Sequence, residues 1–184
     1  MSRFQRRSRG VWRGIALALA LAVGSGLAGA APARADDGAA EPGRGPVTNL
    51  PLPRFVSLKA SEANVRRGPS LTHRIDWVFT ARGMPLQVVG EYGHWRRVRD
   101  RDGVGGWVHY TLLSGARTGL VETARAYLYS RPDPASQLNA ELETGVLVEL
   151  DRCVPDWCQG KAGGYKGWVA KADIWGVGAD ETFD

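Results

Sequence analysis

Gly106-Trp107-Val108 and Gly167-Trp168-Val169 are the same tripeptide, repeated 61 positions apart in a chain of 184 residues. Trp95 has a counterpart in Trp157, 62 positions later and in the same order. Landmarks that recur in one order at a nearly constant offset indicate an internal duplication. A period of about 60 residues suits two small domains better than a solenoid. The sequence therefore predicts two consecutive copies of one small domain.

Short apolar and aromatic runs separated by turn residues fill each copy. In the first copy, residues 86–89, 94–99 and 106–109 are rich in β-branched and aromatic side chains, which favours strands. About five short strands in about 60 residues suit a small barrel, which leaves no open sheet edge. The predicted fold class is all-β, with two tandem small barrels at residues 54–115 and 119–177. The link between them is short, so we expect the copies to pack together.

Three segments of the first copy resemble the bacterial SH3-like domain. They are Asn64-Val65-Arg66-Arg67-Gly68-Pro69-Ser70, Gly93-His94-Trp95-Arg96-Arg97-Val98 and Gly106-Trp107-Val108. They are similar to the N-V-R-x-G-P opening, the G-x-W-x-x-V strand and the closing G-W-V of that family. Trp77-Val78-Phe79 and Arg82-Gly83-Met84-Pro85 further resemble a subgroup of unnamed function from alphaproteobacteria. The resemblance implies two SH3-like β-barrels with a binding or targeting role, often at the cell envelope, where relatives hold peptidoglycan or protein partners.

The first 35 residues have the character of a secretory signal. Arginines without any acid precede an apolar run at residues 15–23, and Ala33-Arg34-Ala35 places small residues where a signal peptidase cleaves. An uncleaved anchor is the alternative, although the apolar run is short for a spanning helix. Arg6-Arg7 leaves the twin-arginine export route open. We therefore expect a periplasmic protein that starts near Asp36 and has no stable membrane insertion after cleavage.

Residues 36–53 are predicted to be a disordered linker, and residues 178–184 a short tail. The linker segment is rich in Gly, Pro, Ala and charge, and it cannot bury a core by itself. Residues 1–35 hold six of the 24 basic residues and no acid, so the remaining chain has 24 − 6 = 18 basic and 19 acidic residues, a net charge of −1. The high isoelectric point belongs to the signal, and no nucleic-acid partner is predicted.

Cys153 and Cys158 are the only two cysteines, and the four residues between them include Pro155 and Asp156. Such residues predict a turn that brings the flanking positions face to face, and export places them in an oxidising compartment. We therefore predict a disulfide. The second copy contains no histidine that would complete a zinc site, so no metal and no cofactor are predicted.

Trp95 is the most informative candidate for a binding residue. If residues 94–99 form a strand, alternation places Trp95 on the face opposite Val98, which belongs in the core. Trp95 then either lines a groove or lies against the neighbouring barrel. Arg96 and Arg97 begin a basic cluster on the same strand, which is either an anion-facing patch or a solvated face. The complete set of binding candidates is Trp95, Arg96, Arg97, Tyr92 and Trp77.

No catalytic set is predicted. The three histidines lie in the first copy and both cysteines in the second, and no nucleophile motif accompanies them. The leading interpretation is a non-catalytic envelope module that binds a peptidoglycan fragment or a protein partner. The alternative is a structural, self-associating element of an envelope complex without a small ligand.

Overall fold

A computed structural model describes residues 43–184, which include both copies. The predicted signal at residues 1–35 and the first part of the predicted linker, residues 36–42, lie outside the described residues. Within residues 43–184, no helix is long and apolar enough to cross a membrane.

Two short strands precede the first copy, and each copy then forms one antiparallel sheet of seven strands. The short strands are β1 (Gly43–Arg44) and β2 (Pro51–Leu52). Barrel 1 consists of β3 (Arg54–Leu58), β4 (Ala63–Arg66), β5 (Ile75–Phe79), β6 (Pro85–Tyr92), β7 (Trp95–Arg99), β8 (Gly105–His109) and β9 (Leu113–Ser114). Barrel 2 consists of β10 (Arg117–Val121), β11 (Arg125–Tyr129), β12 (Leu138–Glu143), β13 (Leu147–Cys153), β14 (Trp157–Ala162), β15 (Tyr165–Ala170) and β16 (Ile174–Trp175).

The two sheets have the same strand order. Barrel 1 has the order β5-β4-β8-β7-β6-β3-β9, and barrel 2 has β12-β11-β15-β14-β13-β10-β16, which is the same order shifted by seven strands. A one-turn 3₁₀ helix precedes the last strand of each barrel, at Tyr110–Leu112 and at Lys171–Asp173. The predicted fold class, all-β with a tandem duplication, is confirmed.

Each barrel has its own apolar core, built from the inward-facing residues that alternate with outward-facing residues along its strands. In barrel 1, Val65, Leu86 and Val98 are almost completely buried, and Leu128 and Val169 are buried in barrel 2. Each such side chain contributes roughly 1.5–3 kcal/mol relative to an exposed one. The apolar residues at alternate strand positions therefore give each barrel a separate core.

The glycine of the repeated Gly-Trp-Val tripeptide is required by a close approach of two strands. A Cβ atom at Gly106 would lie 2.6 Å from the Arg66 carbonyl oxygen, and one at Gly167 would lie 2.7 Å from the Tyr129 carbonyl oxygen. At these points β8 pairs with β4, and β15 pairs with β11. Any side chain here would push the paired strands apart, so the tripeptide marks the place where β8 meets β4 in barrel 1 and β15 meets β11 in barrel 2.

The barrels pack against each other, as the short link predicts. Only two residues separate β9 from β10. The Thr118 hydroxyl of barrel 2 donates to the Gly83 carbonyl oxygen of barrel 1 at 2.7 Å. The rings of Phe55 and Trp175 meet edge to face, with centroids 5.1 Å apart.

Residues 43–53 are folded, so the linker prediction is wrong for this part of the segment. β1 pairs with β2, and Leu52 is buried in the core of barrel 1. Composition alone indicated a mobile tether, because this segment has little apolar surface of its own. The partner that holds it is a buried carboxylate of barrel 1, Glu91, which local composition does not reveal.

The predicted tail is also packed, against barrel 2. Phe183 exchanges two backbone hydrogen bonds with Cys153, at 2.8 and 3.2 Å. The Glu181 carboxylate accepts a hydrogen bond from Arg117 at 2.9 Å, and the Arg117 guanidinium lies over the Phe183 ring. Arg117 is the first residue of β10, and Arg54 is the first residue of β3. The two arginines are therefore at equivalent positions, and each helps to hold the segment at one end of residues 43–184 to its barrel.

Candidate binding surface

A group of aromatic side chains lies at one end of barrel 1, where β7 begins and β8 ends. Trp95 and His109 are paired across these strands, and their rings meet edge to face with centroids 5.5 Å apart. His109 also packs beside Tyr110 at 5.1 Å, and Tyr110 beside His94 at 5.6 Å. Tyr92, at the end of β6, is mostly exposed. We call Tyr92, His94, Trp95, His109 and Tyr110 the aromatic surface.

The local backbone explains why these rings meet. Tyr92 pairs with Trp95 across a tight hairpin, and Gly93 at its tip has φ +49°, a conformation that glycine adopts without strain. The Tyr110 N–H donates to the His94 carbonyl oxygen at 2.9 Å, which joins the 3₁₀ turn to the hairpin. Trp95 is half-buried on the face opposite the buried Val98.

Arg96 lies beneath this surface, so the prediction of an exposed Arg96 is wrong. The residue is only 7% exposed. Its guanidinium donates to the carbonyl oxygens of Gly93 and Trp95, each at 2.9 Å, and lies 5.9 Å from the centre of the Tyr110 ring. The alternation that turns Trp95 outward turns Arg96 inward. Arg96 therefore supports the hairpin rather than facing solvent.

Glu91 is the counter-charge of Arg96 and the anchor of the N-terminal segment. Its side chain is fully buried, and its carboxylate accepts hydrogen bonds from the Val47 N–H at 3.1 Å, the Thr48 N–H at 2.9 Å and the Thr48 hydroxyl at 2.7 Å. Arg54 donates at 2.7 Å, and the Arg96 Nε lies at 3.5 Å.

The donors around Glu91 keep it ionised. Burial by itself raises the pKa of this carboxyl, but the hydrogen bonds from Thr48, Arg54 and Val47 outweigh burial and lower the pKa from 4.5 to about 2. Glu91 therefore carries a full negative charge at neutral pH, and it links the N-terminal segment to the support of the aromatic surface.

Barrel 2 has the same backbone at this place but different side chains. The Lys171 N–H donates to the Asp156 carbonyl oxygen at 2.9 Å, the equivalent of the Tyr110–His94 bond. Trp157 corresponds to Trp95 but pairs with Ala170 and packs against Tyr129. The aromatic surface thus belongs to barrel 1, because barrel 2 replaces its two histidines and its 3₁₀ tyrosine with Asp, Ala and Lys.

The disulfide of barrel 2 occupies the place of the Glu91–Arg96 pair. Cys153 and Cys158 are bonded to each other, which confirms the sequence prediction. They are paired across β13 and β14 as Glu91 and Arg96 are across β6 and β7. Both offsets are 62 residues (153 − 91 and 158 − 96). The two barrels fix the same hairpin by different chemistry.

The remaining predicted site residues lie in two places. Arg97 is exposed and shares the outward face of β7 with Trp95, beside the aromatic surface. Trp77 lies on β5, which β4 and β8 separate from β7 in the sheet order. Trp77 therefore belongs to a different surface. Sequence reasoning missed Glu91, His94, His109 and Tyr110 as parts of the site, although aligning the copies on Trp95 and Trp157 would have paired Glu91 with Cys153.

The bacterial SH3 domain family matches residues 59–115 and 122–176, and the chain belongs to this family. Bacterial SH3 domains are binding domains. No curated protein matches the chain.

Two solved structures are similar to parts of the chain. NlpC2 from Trichomonas vaginalis is 15% identical, covers 68% of this chain and 48% of its own, and has a TM-score of 0.32. An NlpC/P60 family protein from Bacillus cereus ATCC 10987 is 15% identical, covers 66% of this chain and 55% of its own, and has a TM-score of 0.31. The chain thus matches about half the length of each of these proteins.

Proposed function

We propose that the protein is a non-catalytic module of the cell envelope, and that barrel 1 binds a peptidoglycan fragment through the aromatic surface. Bacterial SH3 domains commonly bind peptidoglycan. Trp95, His109 and Tyr110 present adjacent ring faces and edges, which suit the apolar faces of sugars and peptide side chains. Arg97 lies beside them and offers a cation to the carboxylates of stem peptides.

One observation carries this proposal: the aromatic surface is confined to one of two otherwise equivalent scaffolds. The hydrogen bond between the 3₁₀ turn and the hairpin is 2.9 Å in both barrels, so the backbone does not require the aromatic side chains. We attribute the histidines and Tyr110 of barrel 1 to a ligand there, because barrel 2 makes the same hydrogen bond with Asp156 and Lys171 in the places of His94 and Tyr110.

The proposed location is the periplasm, reached through a cleaved signal. The disulfide supports it, because disulfides form and persist in oxidising compartments. We expect osmotic shock to release a mature chain whose mass corresponds to a start at Asp36. An intact Met1 in the membrane fraction would contradict both cleavage and release.

The test of the binding proposal is co-sedimentation with purified peptidoglycan. We expect Trp95→Ala to weaken binding by about 2 kcal/mol, roughly 30-fold, because a ligand-facing aromatic residue has the effect of a hot spot. The melting temperature should stay close to that of the wild type, because Trp95 does not fill the core. The matched control is Trp157→Ala, the equivalent change in barrel 2, which should leave binding unchanged.

Val98→Ala is the second control and should have the opposite effect. Val98 is 1% exposed in the core of barrel 1, so its truncation should lower stability while leaving the residual folded protein able to bind. If Trp95→Ala lowers the melting temperature as much as Val98→Ala does, Trp95 is structural. If wild-type protein does not sediment with peptidoglycan, the proposal is wrong.

A further inference from the structure

A second surface of barrel 1 carries exposed apolar side chains that the aromatic surface does not use. β5 is the terminal strand of its sheet, so among the described strands it pairs only with β4. Barrel 1 therefore has an open edge, contrary to the expectation from the sequence. Ile75, Trp77 and Val78 on this strand are 41%, 50% and 47% exposed, and Leu71 in the preceding loop is 74% exposed. An exposed apolar edge strand favours pairing with another chain. We call this strand and loop the β5 edge.

The equivalent strand of barrel 2 shows that the fold does not require these side chains. Trp77 pairs with Val65 as Ala140 pairs with Leu128 in barrel 2. By the same register, Val78 corresponds to Glu141, and both hairpins have a bulge at the same step. β12 therefore has the same geometry with a small and a charged residue, as is usual for a protected edge.

The exposed side chains lie on both faces of the sheet. Trp77 is opposite the buried Val65, on the inner face, whereas Val78 is opposite the exposed Asn64, on the outer face. A flat ligand on one face would cover only one of the two. A strand added beside β5 covers both, because its side chains alternate between the faces and its backbone pairs with that of the edge.

The charge around the β5 edge indicates which kind of additional strand would bind there. Asp76 accepts hydrogen bonds from Arg67 at 3.1 Å and from Arg74 at 2.7 Å, so one carboxylate serves two guanidinium groups. Arg66, which donates to the Leu71 and His73 carbonyl oxygens, adds a third positive charge. The local net charge is 3 − 1 = +2. A second copy presenting the same edge would bring like charges together, whereas an acidic segment would complement them.

We propose that the β5 edge is the docking site for an extended, acidic segment of a protein partner. The segment pairs with β5 as an additional strand, its apolar centre covers Trp77 and Val78, and its flanking carboxylates meet Arg67 and Arg74. This site goes beyond the peptidoglycan surface and does not depend on it, because β4 lies between β5 and β8, the nearest strand of the aromatic surface in the sheet order.

The probe is a short fluorescent peptide with a central run of valines flanked on both sides by glutamates, and its binding is measured by fluorescence anisotropy. We expect the double variant Trp77→Ala/Val78→Glu to weaken binding at least about tenfold. This variant carries the residues that barrel 2 has at Ala140 and Glu141, so it should fold. The matched control, Leu138→Ala on the exposed part of β12, should bind like the wild type.

Two altered peptides test the mode of binding. A peptide with lysines in place of the glutamates should bind at least about tenfold more weakly, and one with a central proline should lose binding because it lacks a backbone donor. No binding of the glutamate peptide, equal binding of the lysine peptide, or no effect of the double variant overturns the proposal. If the wild-type protein is a dimer in sedimentation analysis and the double variant is a monomer, the proposal is overturned in favour of self-association.

The double variant should still co-sediment with peptidoglycan as the wild type does. The two proposals can therefore fail separately.

Discussion

Replacing Glu91 with alanine is expected to destabilise barrel 1 by about 3–5 kcal/mol, the usual cost of removing one partner of a buried ion pair. The change would leave Arg54 and Arg96 without their carboxylate and the Val47 and Thr48 N–H groups without an acceptor. Urea denaturation at neutral pH measures the loss. Limited proteolysis should show new cleavage within residues 43–52, because this carboxylate holds that segment to the barrel.

Acid should reproduce part of this effect in the wild-type protein. The pKa of Glu91 is lowered to about 2 in the folded state, from 4.5. A group whose pKa is lowered by folding contributes stability that is fully present above its unfolded pKa and is lost as the pH falls through the folded value. The contribution, roughly 3 kcal/mol, should therefore be complete above about pH 4.5 and decline towards pH 2.

Glu91→Gln provides the control for the acid effect. Glutamine keeps the size of the side chain but does not titrate, so the difference in unfolding free energy between wild type and variant should shrink as the pH falls from 4.5 to 2. Subtracting the two curves removes the contributions of Asp76 and Glu181, whose pKa values are also lowered. A difference that is constant across this range would contradict the assigned role of Glu91.

The duplicated barrels were predictable because their evidence is periodic and local. The Gly-Trp-Val tripeptides recur where a Cβ atom would meet the paired strand, so geometry keeps the glycine in both copies. Alternation along residues 94–99 placed Trp95 and Val98 on opposite faces, and β7 has this arrangement. Both inferences need only a strand and its neighbours.

The error at Arg96 came from weighing charge above alternation. Arg96 has the parity of Val98, so the pattern that turned Trp95 outward also turned Arg96 inward, but an arginine is rarely buried without a partner. The partner is Glu91, five residues earlier and across the hairpin. The folding of residues 43–53 was missed because it depends on the same carboxylate, Glu91. This residue lies outside the segment and anchors it only after burial.

Removing the disulfide of barrel 2 is the counterpart of replacing Glu91 in barrel 1. The double variant Cys153→Ala/Cys158→Ala is expected to lower the free energy of unfolding by about 2–4 kcal/mol. Roughly 2 kcal/mol comes from the closure of so short a loop, and the remainder from the lost packing of two buried sulfurs. Alanine is preferred to serine because a buried hydroxyl would add a desolvation cost of its own. The measurement is urea denaturation of the variant beside wild type with and without reductant.

The location of the destabilisation shows whether the disulfide stabilises one hairpin or the whole protein. Cys153 also pairs through its backbone with Phe183, so amide exchange should speed up in β13, in β14 and in the packed tail, with less change in barrel 1. Binding through Trp95 should remain, because the aromatic surface is held by Glu91 and Arg96 rather than by the sulfurs. Reductant should therefore weaken barrel 2 at this hairpin position, and the part of the acid effect that depends on Glu91 should weaken barrel 1 at the equivalent position. Native protein that reacts with thiol reagents, or a variant as stable as the wild type, would contradict this division.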